Sequence, residues 1–280
     1  MKKCIVCGQF NNRVIFNEFG VDILRCCNCG HAFSSYETNQ NNDAYFENEI
    51  GGGDHYWWNE AHDRMYNDFC NKFIVNKKGK LLDVGCGLGY FVKKISTFSN
   101  WEVYGYEISK PAVEFAKLKL KLDNVFCGQV ESSNFPKKYF NIITLWDVIE
   151  HIPDPGLILS YLCSILKDDG ILFIHTPNIK IQLFKAKIKR LFFGMKKNKH
   201  YLEAKDHINI YSQQTMIKVL NKYGFKKIEF IHIHPIQSVS GSKKKALKIT
   251  KNLWFYSAKM LYYITFRRVN LNNLFVIVRK

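Results

Sequence analysis

Residues 80–95, KLLDVGCGLGYFVKKI, constrain the fold more than any other stretch of the chain. A short apolar run breaks at Gly85, Gly87 and Gly89 and then resumes with helical spacing. A strand that passes through a bare turn into a helix opens a βαβ unit. The same alternation continues through EVYGYEI, KPAVEFAKLKLK, VFCGQV, FNIITLWDV, GLILSYLCSILK and GILFIHT, with a helical AHDRMYNDFCNKFI ahead of the first strand. Short strands alternating with helices predict an α/β fold built on a parallel sheet.

Glycines at the carboxyl end of a first strand lie where a ligand meets a helix N-terminus. A dinucleotide fingerprint G-x-G-x-x-G started at Gly85 requires glycine at position 90 and meets Tyr90. The stretch instead reads acid-x-G-x-G-x-G, with Asp83 at its entrance. An acid there repels a pyrophosphate and suits a cation, which favours S-adenosylmethionine with its sulfonium and ammonium groups. The bare backbone is expected to let the methionyl part of that cofactor lie close. Glu107, at the end of VYGYEIS, stands where a carboxylate accepts hydrogen bonds from both ribose hydroxyls.

The N-terminal segment has a different logic. Cys4 and Cys7, then Cys26 and Cys29, form two C-x2-C pairs, each followed by glycine. Four thiolates close a tetrahedral zinc site, and a segment this short cannot bury enough apolar surface to fold without such a staple. A structural zinc ribbon over residues 1–36 follows; a redox dithiol is the lesser reading, because such motifs normally occur singly. Cys27 and His31 are alternates for one ligand position, and Cys70, Cys86, Cys127 and Cys163 read as core thiols. Residues 37–60, with three consecutive glycines, read as a connector. The opening MKKCIVCG has no apolar signal core, which predicts a cytoplasmic protein with reduced thiols.

LLDVGCGLGYF, VYGYEIS, FNIITLWDVIEHIPDP, LKDDGILFIHTPN and NLFVIVRK together resemble class I S-adenosylmethionine-dependent methyltransferases of the type 11/23, ubiquinone-methyltransferase-like group, over most of residues 61–280. The cysteine-rich N-terminus resembles members associated with polysaccharide and natural-product pathways. The resemblance implies a Rossmann-like seven-stranded sheet whose last strand, NLFVIVRK, runs antiparallel beside the strand in FKKIEFIHIH. It also implies cofactor contacts from Asp83, Gly85, Gly87, Glu107, Ile108 and Leu145. Relatives often place an aspartate on the adenine amino group; here Gln129 stands in CGQVESS, and its amide oxygen can accept the same bond.

WDVIEHIPDP ends the fourth strand, facing the space where donor and acceptor meet. His151 is a candidate base, since imidazole titrates near neutrality. In ubiquinone-type relatives an acid-x-x-Glu-His run binds a divalent cation, which Asp147, Glu150 and His151 match; the alternative is that Glu150 and His151 only brace the turn before Pro153. His207 in KDHINIYSQQT, ahead of a helix capped by Ser212, is a second base candidate, and His175 and Asn178 are expected to flank the same pocket.

Net charge is −3 over residues 1–178 and +20 over residues 179–280. Two basic inserts, at about 179–206 and 241–270, carry apolar residues at helical steps; the apolar core of the second is interrupted by Lys259 and is too short to span a bilayer. Both read as amphipathic helices for an anionic membrane surface, or as a lid that packs on the domain and exposes its lysines. The leading expectation is O-methylation of a small-molecule, sugar or lipid-linked glycan acceptor. An RNA methyltransferase is second, since zinc ribbons and basic surfaces suit nucleic acid and one rRNA methyltransferase family has a similar knuckle. Against it, the fourth strand lacks the Asn-Pro-Pro-aromatic run that grips an exocyclic base nitrogen. A non-catalytic zinc-ribbon adaptor is third, and the intact glycine loop argues against it.

Overall fold

The computed structural model describes residues 2–37, 60–197, 201–236 and 244–280. Most of the connector, including its glycine triplet, lies outside the described residues.

Seven strands form the main sheet: β4 (Gly79–Val84), β5 (Trp101–Glu107), β6 (Val125–Cys127), β7 (Phe140–Trp146), β8 (Leu166–Thr176), β10 (Lys227–Ile231) and β11 (Leu274–Arg279), in the order β10-β11-β8-β7-β4-β5-β6. β11 is antiparallel to both neighbours and sits between β8 and β10, as the resemblance implied. β8 starts at Leu166, so the Leu166–Lys167 end of the expected helix GLILSYLCSILK is already extended. Alternate residues serve opposite faces: Leu81 packs with Ile142, Phe173 and Ile277, while Leu82 packs with Ile143, Leu172 and Val276. Helices α1 (Asp63–Phe73), α2 (Tyr90–Ile95) and α3 (Lys110–Leu118) cover the first face. Helices α4 (Gly156–Ile165) and α6 (Gln213–Lys222) cover the second. Ser212 caps α6 through a reciprocal pair with Thr215, which sets where that helix begins. The chain leaves β4 in one direction for β5 and β6 and returns on its other side as β7 and β8, which puts a switch point at the carboxyl end of β4.

A second sheet belongs to the N-terminal ribbon: β1 (Asn12–Glu18), β2 (Val21–Cys26) and β3 (Ala32–Ser34), joined by β9 (Asn209–Ile210) from far along the chain. The basic inserts are helices α5 (Ile179–Phe193) and α7 (Lys244–Ile264). Glu18 accepts hydrogen bonds from the backbone N–H of Leu202 and Ala204, both at 3.1 Å, and Ser34 N–H donates to the Ile208 carbonyl at 2.9 Å. These bonds weld the ribbon to the segment that carries His207.

Candidate active site

At the carboxyl end of β4 the turn is shaped from within. Gly85 has φ 69° and Gly89 φ 84°, where side-chain-bearing residues are strained. A Cβ on Gly85 would stand 2.5 Å from Val148 Cγ2, and one on Gly89 would stand 3.0 Å from both Ala116 and Leu122. The bareness expected for a ligand's sake is already demanded by packing. Glu107 holds the loop: its carboxylate accepts from Gly87 N–H at 2.9 Å and from Ser109 N–H at 3.0 Å. Asp83 is buried and accepts from the Thr144 hydroxyl at 2.6 Å. Burial pushes Asp83 up to about 8, and the nearby charge of Glu107 adds to the rise. In the ligand-free protein Asp83 is therefore a poised acid, and a cation would draw its proton off. The bare turn and these two carboxyls fit a cationic cofactor of the S-adenosylmethionine type.

Of the remaining cofactor candidates, Ile108 is exposed beside Glu107 and Gln129 is exposed just after β6. Leu145 is wholly enclosed in the core with Leu82 and Ile143.

The loop after β7 gathers the acid–base groups. Asp147 has φ 51°, and its Oδ2 lies 3.0 Å from His175 Nδ1. Against a burial that would raise it, Asp147 is held below the usual carboxylate range chiefly by His175. Glu150 is pushed up from the usual carboxylate range by burial and then by the charge of Asp147. Glu150 accepts from the Thr176 hydroxyl at 2.9 Å. His151 Nδ1 is 3.0 Å from the Asp206 carbonyl; the carbonyl can only accept, so Nδ1 carries the proton and Nε2 is left basic. The rings of His151 and His207 are 5.1 Å apart, and Glu203 lies 3.3 Å from His207 Nε2. Burial, with the neighbouring His151, pulls His207 down to about 4, so it is neutral at physiological pH.

The cation triad expected from Asp147, Glu150 and His151 is corrected in one member. Donor atoms of Glu150, His151 and His207 lie within 4.8 Å of one another, whereas the left-handed backbone at Asp147 turns its carboxylate to His175. Two imidazoles and a carboxylate suit a divalent transition metal. Asn178 is also corrected: it caps α5 and donates to the carbonyls of Asn270 and Asn272 at 3.1 and 3.0 Å, a tether rather than a pocket wall. Two site-facing groups escaped the sequence reading. Tyr66 on α1 packs on Phe91 and Trp146, and burial first, then the charges of Asp83 and Asp147, raise its hydroxyl. His62, one residue ahead of α1, stacks on Tyr66. An aromatic on a helix face reads as core, and nothing local marks it otherwise.

In the ribbon, Cys4 and Cys29 sulfurs are 3.5 Å apart, as are those of Cys7 and Cys26, and all four fall within 4.8 Å of one another. Zinc–sulfur bonds of about 2.3 Å place tetrahedral neighbours at such separations, so the set fits a closed structural zinc site. The turns after each pair bend through Gly8 (φ 76°) and Gly30 (φ 79°). Burial raises Cys4 and Cys29, whereas hydrogen bonds overcome it at Cys7 and bring that thiol to about 6. The alternates drop out. Cys27 is exposed outside the cluster, and His31 turns away, Nε2 3.0 Å from Asn209 Oδ1 with its ring against Phe33 and Tyr211. Cys127, expected in the core, is also exposed.

Residues 57–229 match the type 23 methyltransferase-domain family, and the chain belongs to it. The ubiquinone biosynthesis O-methyltransferase of Coxiella burnetii is 25% identical over 199 residues, 65% of this chain and 82% of its own length. Against relatives of that name from Neisseria meningitidis, the chain spans about half of their length. In the complex of the Haloferax volcanii Trm112 methyltransferase activator, the matching chain aligns with a TM-score of 0.58 over 87% of this chain and 99% of its own, at 13% identity. An S-adenosylmethionine-dependent methyltransferase from Archaeoglobus fulgidus aligns at 0.51 over 84% and 98%, at 19% identity. At these identities the likeness is one of fold, and that fold is the class I S-adenosylmethionine-dependent methyltransferase fold.

Proposed function

We propose that this chain is an S-adenosylmethionine-dependent O-methyltransferase acting on a small-molecule, sugar or lipid-linked glycan acceptor. The observation that carries this reading is the placement of His151, His207 and Glu150 at the end of β7, the strand next to β4 and its glycine turn. Asp83, Gly85, Gly87 and Glu107 are the donor-side residues, with Ile108 and Gln129 toward the adenosine end. The donor supplies a methyl group already activated by its sulfonium. The chain has then to align the acceptor and accept one proton. His151 is the better base of the two histidines, because its Nδ1 bond to Asp206 fixes the tautomer with Nε2 free to accept. His207, held neutral beside it, keeps a second positive charge out of the pocket. A divalent cation, where one is held, has Glu150, His151 and His207 as its donors and would make an acceptor hydroxyl more acidic. Zinc in the ribbon is structural, since four thiolates leave no open position.

The names of the Coxiella and Neisseria relatives support a hydroxyl acceptor. RNA is the second reading, favoured by the ribbon and the basic C-terminal part. Calorimetry with S-adenosylmethionine, paired with mass analysis of metabolites and glycans in wild-type and deletion strains, tests the proposal. Donor binding and one methylated compound lost on deletion are expected. His151→Ala should abolish methylation and leave donor affinity within about twofold, the two groups being on different strands. No heat with the donor sinks the enzyme reading, and methylation lost from RNA alone replaces the acceptor.

A further inference from the structure

We propose that α5 and α7 together form a seat for an anionic lipid bilayer. Each helix carries two apolar stripes on opposite sides, whereas packing against the rest of a protein uses only one. On α5, Ile179, Leu183 and Ala186 pack into the ribbon core with Phe16 and Ile23. The far side presents Phe184, Ile188, Leu191 and Phe192, with Leu191 79% and Phe192 73% exposed. On α7, Phe255, Ala258 and Tyr262 are buried. Ile249, Leu253, Tyr256, Met260 and Ile264 recur at steps of three and four on the other side, and Leu253 and Met260 are each 62% exposed. Phe266, just beyond α7, is 86% exposed.

The two helices are neighbours. Lys185 Nζ lies 5.8 Å from the Trp254 ring, and Asn178 at the start of α5 ties to the carbonyls of Asn270 and Asn272 just past α7. An exposed apolar surface of this extent marks an interaction site. Its charge identifies the occupant: residues 179–197 and 249–269 contain no Asp or Glu, while Lys185, Lys187, Lys189, Arg190, Arg267 and Arg268 accompany the apolar side chains. Long cationic side chains around an apolar stripe reach anionic headgroups while the stripe enters the acyl boundary. A second copy of the chain would meet the same excess of +20 in its C-terminal part and be repelled. Nucleic acid would satisfy the lysines but leave the Leu, Ile and Met stripes in water. Among the described residues no helix is long and apolar enough to cross a membrane, so the seat is a surface one.

The inference shares with the proposed function only the lipid-linked acceptor. Its test needs neither donor nor acceptor, so either can fail alone. The full chain is floated with phosphatidylcholine vesicles and with vesicles containing added phosphatidylglycerol. Flotation is expected with the anionic vesicles, weaker with neutral ones and reduced by salt. Leu191→Glu/Phe192→Glu and Leu253→Glu/Met260→Glu should each raise the lipid needed for half-binding by about tenfold or more. Zinc content and S-adenosylmethionine affinity should be unchanged in both, which shows that they fold. The proposal is overturned if the wild type stays with the soluble fraction, or if both double variants float as it does. It is equally overturned if light scattering shows that the substitutions split a dimer, or if they abolish RNA retention and leave vesicle binding intact.

Discussion

Asn209→Ala isolates the joint between ribbon and site. Asn209 is buried, its Nδ2 donates to the carbonyls of Ile152 and Pro153 at 2.7 and 3.2 Å, and its Oδ1 lies 3.0 Å from His31 Nε2. Because the amide nitrogen is spent on two carbonyls, Oδ1 must accept, which fixes the proton of His31 on Nε2. Burial pulls His31 down to about 4, so the ring is neutral and the bond persists across physiological pH. Truncation deletes three hydrogen bonds and leaves a buried His31 N–H without an acceptor. At about 1 kcal/mol for each of the two bonds to carbonyls, and 1–3 kcal/mol for the buried His31 N–H left unpaired, the cost is about 3–5 kcal/mol. Urea unfolding followed by tryptophan fluorescence reads that cost, and hydrogen exchange reads where it falls. Protection should drop over residues 150–153 and 201–212, while S-adenosylmethionine affinity stays within about twofold because no bond of Asn209 reaches Asp83 or Glu107. A cost below about 1 kcal/mol, or unchanged exchange in those segments, would refute the view that this side chain couples ribbon to site.

Zinc chelation should act in the same direction: with the four thiols released, exchange over residues 201–212 should rise and methylation fall, while added zinc restores both. A protein whose 201–212 protection ignores chelation has no such coupling. Asp83 gives a pH test. Its folded pKa of about 8 lies above the 3.8 of a free carboxyl, so between those values the folded chain holds a proton that the unfolded chain has lost. Ligand-free stability should therefore fall as pH rises through that window, with Glu150 acting in the same sense, and Asp83→Asn should flatten part of the slope in thermal melts. Binding of a cationic donor should release protons, detectable as a buffer-dependent heat in calorimetry. Proton uptake instead would reverse the charge logic of the crevice.

What the sequence made legible was local. The strand, glycine turn and helix of residues 80–95 specify one another over a few residues, Ser212 and Thr215 lie within one helical turn, and each cysteine pair closes its own knuckle. The cost of reading locally shows where a residue's partner lies far along the chain. His31 sits two residues from Cys29 and was a candidate ligand, yet its partner is Asn209. Asp147 had the spacing of a cation ligand, but a left-handed backbone gives its carboxylate to His175. β9 is only two residues long and has no periodicity to announce that it completes the ribbon's sheet. The same distinction explains Gly85: a motif reading assigns its bareness to a ligand, whereas Val148, on the loop after β7, already forbids a side chain there. That contact joins the donor turn to the loop bearing Glu150 and His151, and Asn209 joins that loop to the ribbon. The four-cysteine knuckle at the N-terminus and the glycine turn at residue 85 are thus linked through one loop, so the ribbon acts as a brace for the candidate acid–base residues as well as an appended module.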